Sequence, residues 1–408
     1  MDFKPSPERQ ILFDTLKKYF ENEYSLSDRN IAAHSDLGYS KKAWEAMRTL
    51  GILESLIDPE LDGFGGTALD ISTVFEALGR GLVVEPFLEV GILAAKVLSK
   101  GNDVQKSLVK KILKNECLPI LAHSETDTEY SKSFVETKLS VEADGSYKIS
   151  GAKRMIKHAA EATHFLVSCR NTGDASSEEG ISIACIPTDR EGIKIDSFAT
   201  IDGGRVSDLT FTNVSISSEE LVGELGMSYS IVSHAIDTGI LAICSEALGI
   251  MERIKELTLE YLKTRKQFGV PIGKFQAIQH RMAQLLVEIE QARSSVINAT
   301  IYFDDETERE KTISAAKFSI GKIGTLVAEE SIQLHGGMGM TWEYDLGHYA
   351  KRLVLIDHEF GDEDFHLQKY ISLYNVNEIS EAFISSLGLI LFLDDELLEI
   401  ILLSFRIT

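Results

Sequence analysis

Cysteine is scarce in this chain, and the four present (Cys117, Cys169, Cys185 and Cys244) lie far apart. No CxxC pair exists, so the usual thiolate spacing of a zinc or redox site is missing; the expectation is no metal and a reduced cytoplasm. Positive charge is also short. Against 63 Asp and Glu stand 41 Lys and Arg, leaving a formal charge of −22. Such a surface repels nucleic acid and anionic membranes as main partners, while a local basic cluster can still meet an anionic cofactor. Long apolar runs are missing too: the nearest, residues 387–393, stops at Asp394, Asp395 and Glu396, so no membrane span is expected. Residues 1–7 carry no apolar segment of the secretory type. These absences together describe a cytoplasmic protein.

What is there is ordinary globular material, 44% hydrophobic and 25% charged, in a chain long enough for two or three domains. Ile11, Leu12, Leu16, Tyr19 and Phe20 recur at helical spacing, and Trp44, Met47 and Leu50 repeat it. After the glycine-rich turn at residues 62–66, Thr67 is placed to cap a helix with Asp70 as its capping-box acid. Ile71, Val74, Phe75 and Leu78 give that helix its apolar face, and residues 88–98 resume a helix beyond Pro86. Residues 1–117 therefore read as a helical domain.

The period then changes. Val135, Thr137, Leu139 and Val141 alternate with polar residues, Asp144-Gly145 is a hairpin turn, and Tyr147 to Ile149 return. Further short β-rich runs follow at 165–168, 181–186, 193–195 and 209–214, with the polar loop 173–180 reading as an exposed hairpin. Residues 118–226 read as a β domain, a small barrel or sandwich. Ile236, Ile240, Ile243, Ala247, Ile250, Ile254, Leu257 and Tyr261 then step by four and three along one long core helix. A second helix begins near Gln276, a third spans about 312–334, and a basic fourth carries His348 and Arg352. Residues 227–374 read as a four-helix bundle. No role attaches to the tail, 375–408. The fold class is α+β.

The stretch from Ser331 to Tyr344 carries chemistry. Gln333 precedes Gly336, Gly337 and Gly339. Without a Cβ, glycines let backbone amides approach a flat or charged group, so the stretch suits the phosphates or sugar of a nucleotide cofactor. A plain helix C-cap and turn is the other reading, although that needs only one glycine.

Three motifs in order narrow the choice: Tyr261-Leu-Lys-Thr-Arg-Lys-Gln-Phe-Gly-Val-Pro-Ile272, Phe275-Gln-Ala-Ile-Gln-His-Arg-Met-Ala283, and Gln333-Leu-His-Gly-Gly-Met-Gly339. Supporting them are Phe75-Glu-Ala-Leu-Gly79, Gly151-Ala-Lys153 and Leu221-Val-Gly223. Over roughly residues 6–370 the chain resembles the acyl-CoA dehydrogenase family of flavoproteins. It looks most like the pimeloyl-CoA dehydrogenase small subunit and related hetero-oligomeric enzymes. The resemblance implies a helical–β–helical-bundle fold and an FAD shared between subunits of a homo- or hetero-oligomer. It implies that Arg265, Gln267 and Phe268 meet the neighbour's FAD on its phosphate and adenine side, and that Gln333, Gly336 and Gly337 meet the pyrophosphate and ribose. Ser124, Met155 and Lys157 would face the flavin ring. The implied reaction is α,β-dehydrogenation of an acyl-CoA thioester, as in fatty-acid β-oxidation, with electrons passing on to a further acceptor.

The chain departs from the family at the catalytic base. Phe360 occupies the position of the usual glutamate, and Gly239 the alternative position on the long helix. Glu359 and Asp362 are the nearby carboxylates, and the expectation gives them the base's role. At the flavin ring, Met155 replaces a tryptophan. The alternatives are therefore a non-catalytic structural subunit that donates the adenine-side half of a partner's FAD site, and a relative using flavin for oxidase or monooxygenase chemistry.

Overall fold

The computed structural model describes residues 6–126, 130–142 and 145–374; the tail from residue 375 and the turn residue Asp144 lie outside them. Helices come first: Pro7–Asn22, Leu26–Ala33, Lys41–Thr49, Ile52–Leu56, Ala68–Gly81, Phe87–Ala94 running on into Ala95–Leu98, and Asp103–Leu113. Their starts follow from short polar side chains. Ser6, Ser25, Ser40 and Asn102 each accept a hydrogen bond from a backbone N–H three residues on, and Thr67 and Asp70 form the expected capping box. The segment expected as a simple helix over 88–98 differs. Phe87–Ala94 is wound as a π-helix, and all eight of its residues are buried.

Eight strands then form one mixed sheet. Its spine is Tyr147–Lys157, antiparallel to both Lys138–Val141 and Arg205–Ile216. Val141 pairs with Tyr147, closing the expected hairpin. His164–Arg170 pairs antiparallel with Ile181–Pro187 around the polar 173–180 loop and parallel with Pro119–Ala122. Against Arg205–Ile216 the spine slips register between Lys153 and Ile156. Such bulges bend a strand and re-aim its side chains, and here Met155 takes a φ of 56°.

The helices Tyr229–Thr264, Gln276–Ile301 and Arg309–His335 make the core of the last third, joined by Leu346–Asp357 and by a further helix, Glu363–Ser372. Tyr229–Thr264 is the one helix among the described residues long and apolar enough to cross a membrane; 83% of its apolar window is buried inside the protein, as in a core helix. It lies across Ala68–Gly81 at unusually short range. A Cβ at Gly79 would run into the carbonyl of Glu246, and one at Gly249 into the carbonyl of Glu76. The two glycines permit this backbone-to-backbone crossing, which fixes Glu246 beside the β domain.

Candidate active site

A cavity of about 630 Å³ opens where the N-terminal helices, the sheet and the bundle meet. Leu88, Leu93, Ile120, Leu121 and Ile236 supply apolar wall, and the bulged strand end supplies Met155, Ile156 and Lys157. Ser124, Glu359 and Phe360 also line it. A concave apolar space at a domain junction, with few polar groups, is the usual form of a small-molecule site.

One buried cation organises the junction. The Arg352 Nε and Nη2 donate to Glu246 Oε1 at 2.6 Å and Oε2 at 2.8 Å, and its Nη1 reaches Asp202 at 3.4 Å and also Glu359. Glu246 comes from the long helix, Asp202 from the loop after strand Ile193–Ala199, and Glu359 from the loop after Leu346–Asp357. Three separate segments therefore close on one guanidinium. Burial alone would depress the Arg352 pKa, but Glu246 and then Glu359 outweigh it and raise the group well above its ordinary value.

This arrangement bears on Glu359, one of the two carboxylates expected near the base position. The residue lines the cavity, but its carboxylate is not free. Lys157 Nζ lies 2.6 Å away and Arg352 holds the other side. Burial pushes the carboxyl up, yet Arg352 first and Lys157 second bring it down to about 2. A group so acidic is a weak proton acceptor. Asp362, the other expected carboxylate, caps helix Glu363–Ser372, its Oδ1 accepting the Phe365 N–H at 2.9 Å, and it is not among the cavity-lining residues. The Glu359 pairing has a pH signature. Its folded pKa lies below the ordinary 4.5, so the stability it confers is present above about pH 4.5 and is lost as pH falls toward about 2. Urea midpoints measured down this range should fall more steeply in the wild type than in Glu359→Gln; parallel slopes would mean that the pairing contributes nothing.

The two positions where the resemblance puts a base come together in space. A Cβ at Gly239 would lie 3.5 Å from the Phe360 ring and 2.9 Å from Leu93. Neither carries a carboxylate. Nearby Asp237 is turned away to Lys132 in a separate small pocket with Glu310 and Lys369.

The remaining expected residues gather elsewhere. Arg265, Gln267 and Phe268 lie on a tight hairpin, Lys266–Gln267 against Val270–Pro271, that stands off the bundle end. Phe268 is 92% exposed. Tyr261 stacks on His335 with ring centroids 4.4 Å apart, so this hairpin and the Gln333–Gly337 turn share one end of the bundle. Gln333, Gly336 and Gly337 are exposed there, and a Cβ at either glycine would meet nothing within 4 Å. The protein's own packing gives Gly337 no reason to be glycine, whereas a close-approaching group outside the chain does. Neither this cluster nor any of its members lines the cavity. The residues that sequence reasoning missed are Glu89, Asp202 and Glu246. Their only local signal is a lone acid inside an apolar run, as Glu89 and Glu246 are.

Comparison with known proteins finds three models of one family along the chain. Residues 6–116 match the model "Acyl-CoA dehydrogenase, N-terminal domain", 121–214 the middle domain and 229–368 the C-terminal domain of the same family. A probable acyl-CoA dehydrogenase of Bacillus subtilis (strain 168), YngJ, is 24% identical over 380 residues, spanning 91% of this chain and 98% of that protein. Among solved structures, the ChsE4–ChsE5 complex from Mycobacterium tuberculosis superposes with a TM-score of 0.80 at 21% identity, over 90% of this chain and 97% of that one. PigA with FAD and proline gives 0.83 at 20% identity, over 91% and 98%.

Proposed function

Because this chain belongs to the acyl-CoA dehydrogenase family, whose members are FAD-dependent oxidoreductases acting on CH–CH donors, we propose that it serves the α,β-dehydrogenation of an acyl-CoA thioester, with each FAD lying between two subunits. The observation carrying this reading is the separation of two half-sites. The exposed Arg265, Gln267, Phe268, Gln333, Gly336 and Gly337 cluster is away from the cavity lined by Ser124, Met155 and Lys157. A single chain has one half at each place, so a second subunit completes both.

The residues present fit the cofactor. Arg265 is an exposed guanidinium suited to a phosphate, Phe268 a free flat face, and Gly336 and Gly337 offer open backbone. At the cavity Ser124 offers a hydroxyl and Lys157 an ammonium to the polar edge of a ring, with Met155 as an apolar wall. FAD supplies the hydride acceptor when bound. The chain's own part is to hold the thioester in the apolar cavity, exclude water from it and accept the α-proton. The acyl group lies against Leu88, Leu93 and Ile236 in this reading. An electron acceptor and a like or unlike partner subunit complete the system, a reading supported by the likeness in fold to a chain of the ChsE4–ChsE5 complex.

The test is flavin content. Protein isolated from its native host with any co-purifying chain should carry FAD, and Arg265→Ala or Gln333→Ala should weaken its retention. A lost charge-assisted hydrogen bond to phosphate is worth about 1.5–3 kcal/mol, so Arg265→Ala should release flavin at roughly tenfold lower dilution or more. Retention unchanged in both variants would defeat the shared-site reading. A second reading, a structural subunit that donates only the adenine-side half to a partner, is favoured by one observation: Phe360 and Gly239 stand where a base is expected. Acyl-CoA turnover confined to a partner chain would support it.

A further inference from the structure

Four carboxylates stand on the wall of the main cavity: Glu89, Glu125, Asp202 and Glu359. Three are occupied. Glu125 accepts from Lys153 Nζ at 2.6 Å and from the Thr137 hydroxyl at 2.7 Å. Asp202 faces Arg352, and Glu359 is held by Lys157 and Arg352. Glu89 alone has no ion pair and no hydrogen bond to another residue's side chain among the described residues; its own backbone N–H is the partner that its carboxylate keeps. It is 6% exposed and lines the cavity. An ionisable group left unpaired in such a place costs stability, which sets it apart from the structural acids around it.

Its position is equally specific. Glu89 belongs to the π-wound segment Phe87–Ala94, a rare geometry that is frequent at functional sites. Leu93, one turn on, is the side chain nearest to Gly239, which in turn faces the Phe360 ring. The Glu89 segment thus runs beside both places where the family resemblance puts a base and this chain has none. We propose that Glu89 is the catalytic base of this chain, removing the α-proton of the acyl thioester from the N-terminal wall of the cavity. The inference rests on the dehydrogenase reading and deepens it.

The step balances. A Glu89 carboxylate oxygen forms an O–H bond to the α-hydrogen while the Cα–H bond breaks, and its electron pair enters the new Cα–Cβ double bond. The β-hydrogen leaves with its pair as hydride to FAD, so the thioester is oxidised by two electrons and FAD reduced by two. The surroundings suit the role. Burial raises the Glu89 pKa; Lys157 and the residue's own backbone N–H lower it in part, Glu359 raises it and Arg352 lowers it. These are the charges facing it from the sheet and the bundle, and a carboxylate so placed is a stronger base than one in water.

Deuterium entry at the α-carbon tests this without requiring turnover. Flavin-loaded protein from the native host, with any partner chain, is incubated with octanoyl-CoA or butyryl-CoA in D2O and the thioester is followed by mass spectrometry. Octanoyl-CoA affinity is measured by calorimetry, bound flavin by absorbance and folding by Tm. In Glu89→Gln the exchange should fall about 100-fold or more, with affinity within about threefold of wild type and flavin content and Tm kept; Glu89→Asp should retain an intermediate rate. Exchange that survives Glu89→Gln overturns the proposal alone. So does a loss that tracks lost thioester affinity, which would mark Glu89 as structural. Wild-type protein that neither exchanges nor binds the thioesters overturns the proposal together with the dehydrogenase reading.

Discussion

Arg352→Met should lose about 3–5 kcal/mol of folding stability, the usual cost of removing one partner from a buried charge cluster. The reason is the number of carboxylates left behind. Glu246, which receives two of the guanidinium's hydrogen bonds, has no other ion-pair partner among the described residues. Asp202 loses its cation as well, and Glu359 retains only Lys157. Methionine fills much of the arginine's volume, so the loss measures charge more than packing. Adding Glu246→Met should recover part of it, because an uncompensated acid is then removed from the interior. Arg352→Lys should fall between the two, since an ammonium cannot reproduce the two-pronged contact with Glu246. Urea denaturation reads all three variants. A loss below about 1 kcal/mol, the range of an exposed pair, would show that the cluster does not tie the segments together. Activity should suffer too, because Lys157 and Glu359 would be left to re-pair on the cavity wall.

The contrast between this cluster and the elements around it explains what a sequence reveals. The 3.6-residue and two-residue periods are local, so Tyr229–Thr264, the Val141–Tyr147 hairpin and the Thr67–Asp70 capping box were all readable. The wide winding of Phe87–Ala94 was not, because a segment buried on every side has no apolar phase to distinguish one helix type from another. Glu359 shows the same limit in another form. The acidic loop around it is visible in sequence, but its partners Lys157 and Arg352 come from a strand and a helix, and nothing local says that they arrive. Glu246 and Arg352 are 106 residues apart. Glycine signals fall between these cases. Phe75-Glu-Ala-Leu-Gly79 is legible as a motif, while the cause of its glycine, the close approach to the Glu246 carbonyl, needs the second helix in place.

Lys153→Met tests whether a second buried pair, on the other side of the cavity, sets its shape. The lysine is fully buried, and its three donors are satisfied by Glu125 at 2.6 Å, the Ser168 hydroxyl at 2.8 Å and the His123 carbonyl at 3.1 Å. Glu125 also accepts the Glu136 and Thr137 amides at 2.7 and 3.1 Å. Burial raises this carboxyl, but Lys153 and these donors outweigh it and keep it below its ordinary value, so removing the lysine leaves a buried acid whose burial is no longer offset by a cation. Removing the cation should therefore cost about 3–5 kcal/mol, and Glu125→Gln in the same chain should return a share of it, since the amide oxygen still accepts from Thr137. The consequence for function follows from position. Ser124 adjoins Glu125, and Arg154 and Met155 follow Lys153 into the bulge; the Ser124 carbonyl already accepts the Arg154 N–H at 2.8 Å. The pair thus fixes the distance between two segments expected to face the flavin ring. Lys153→Met should shed flavin at dilutions where Arg190→Met, whose pair with Glu220 lies outside the cavity lining, does not. Equal retention in the two variants would separate the buried pair from the cofactor and leave it a purely structural role.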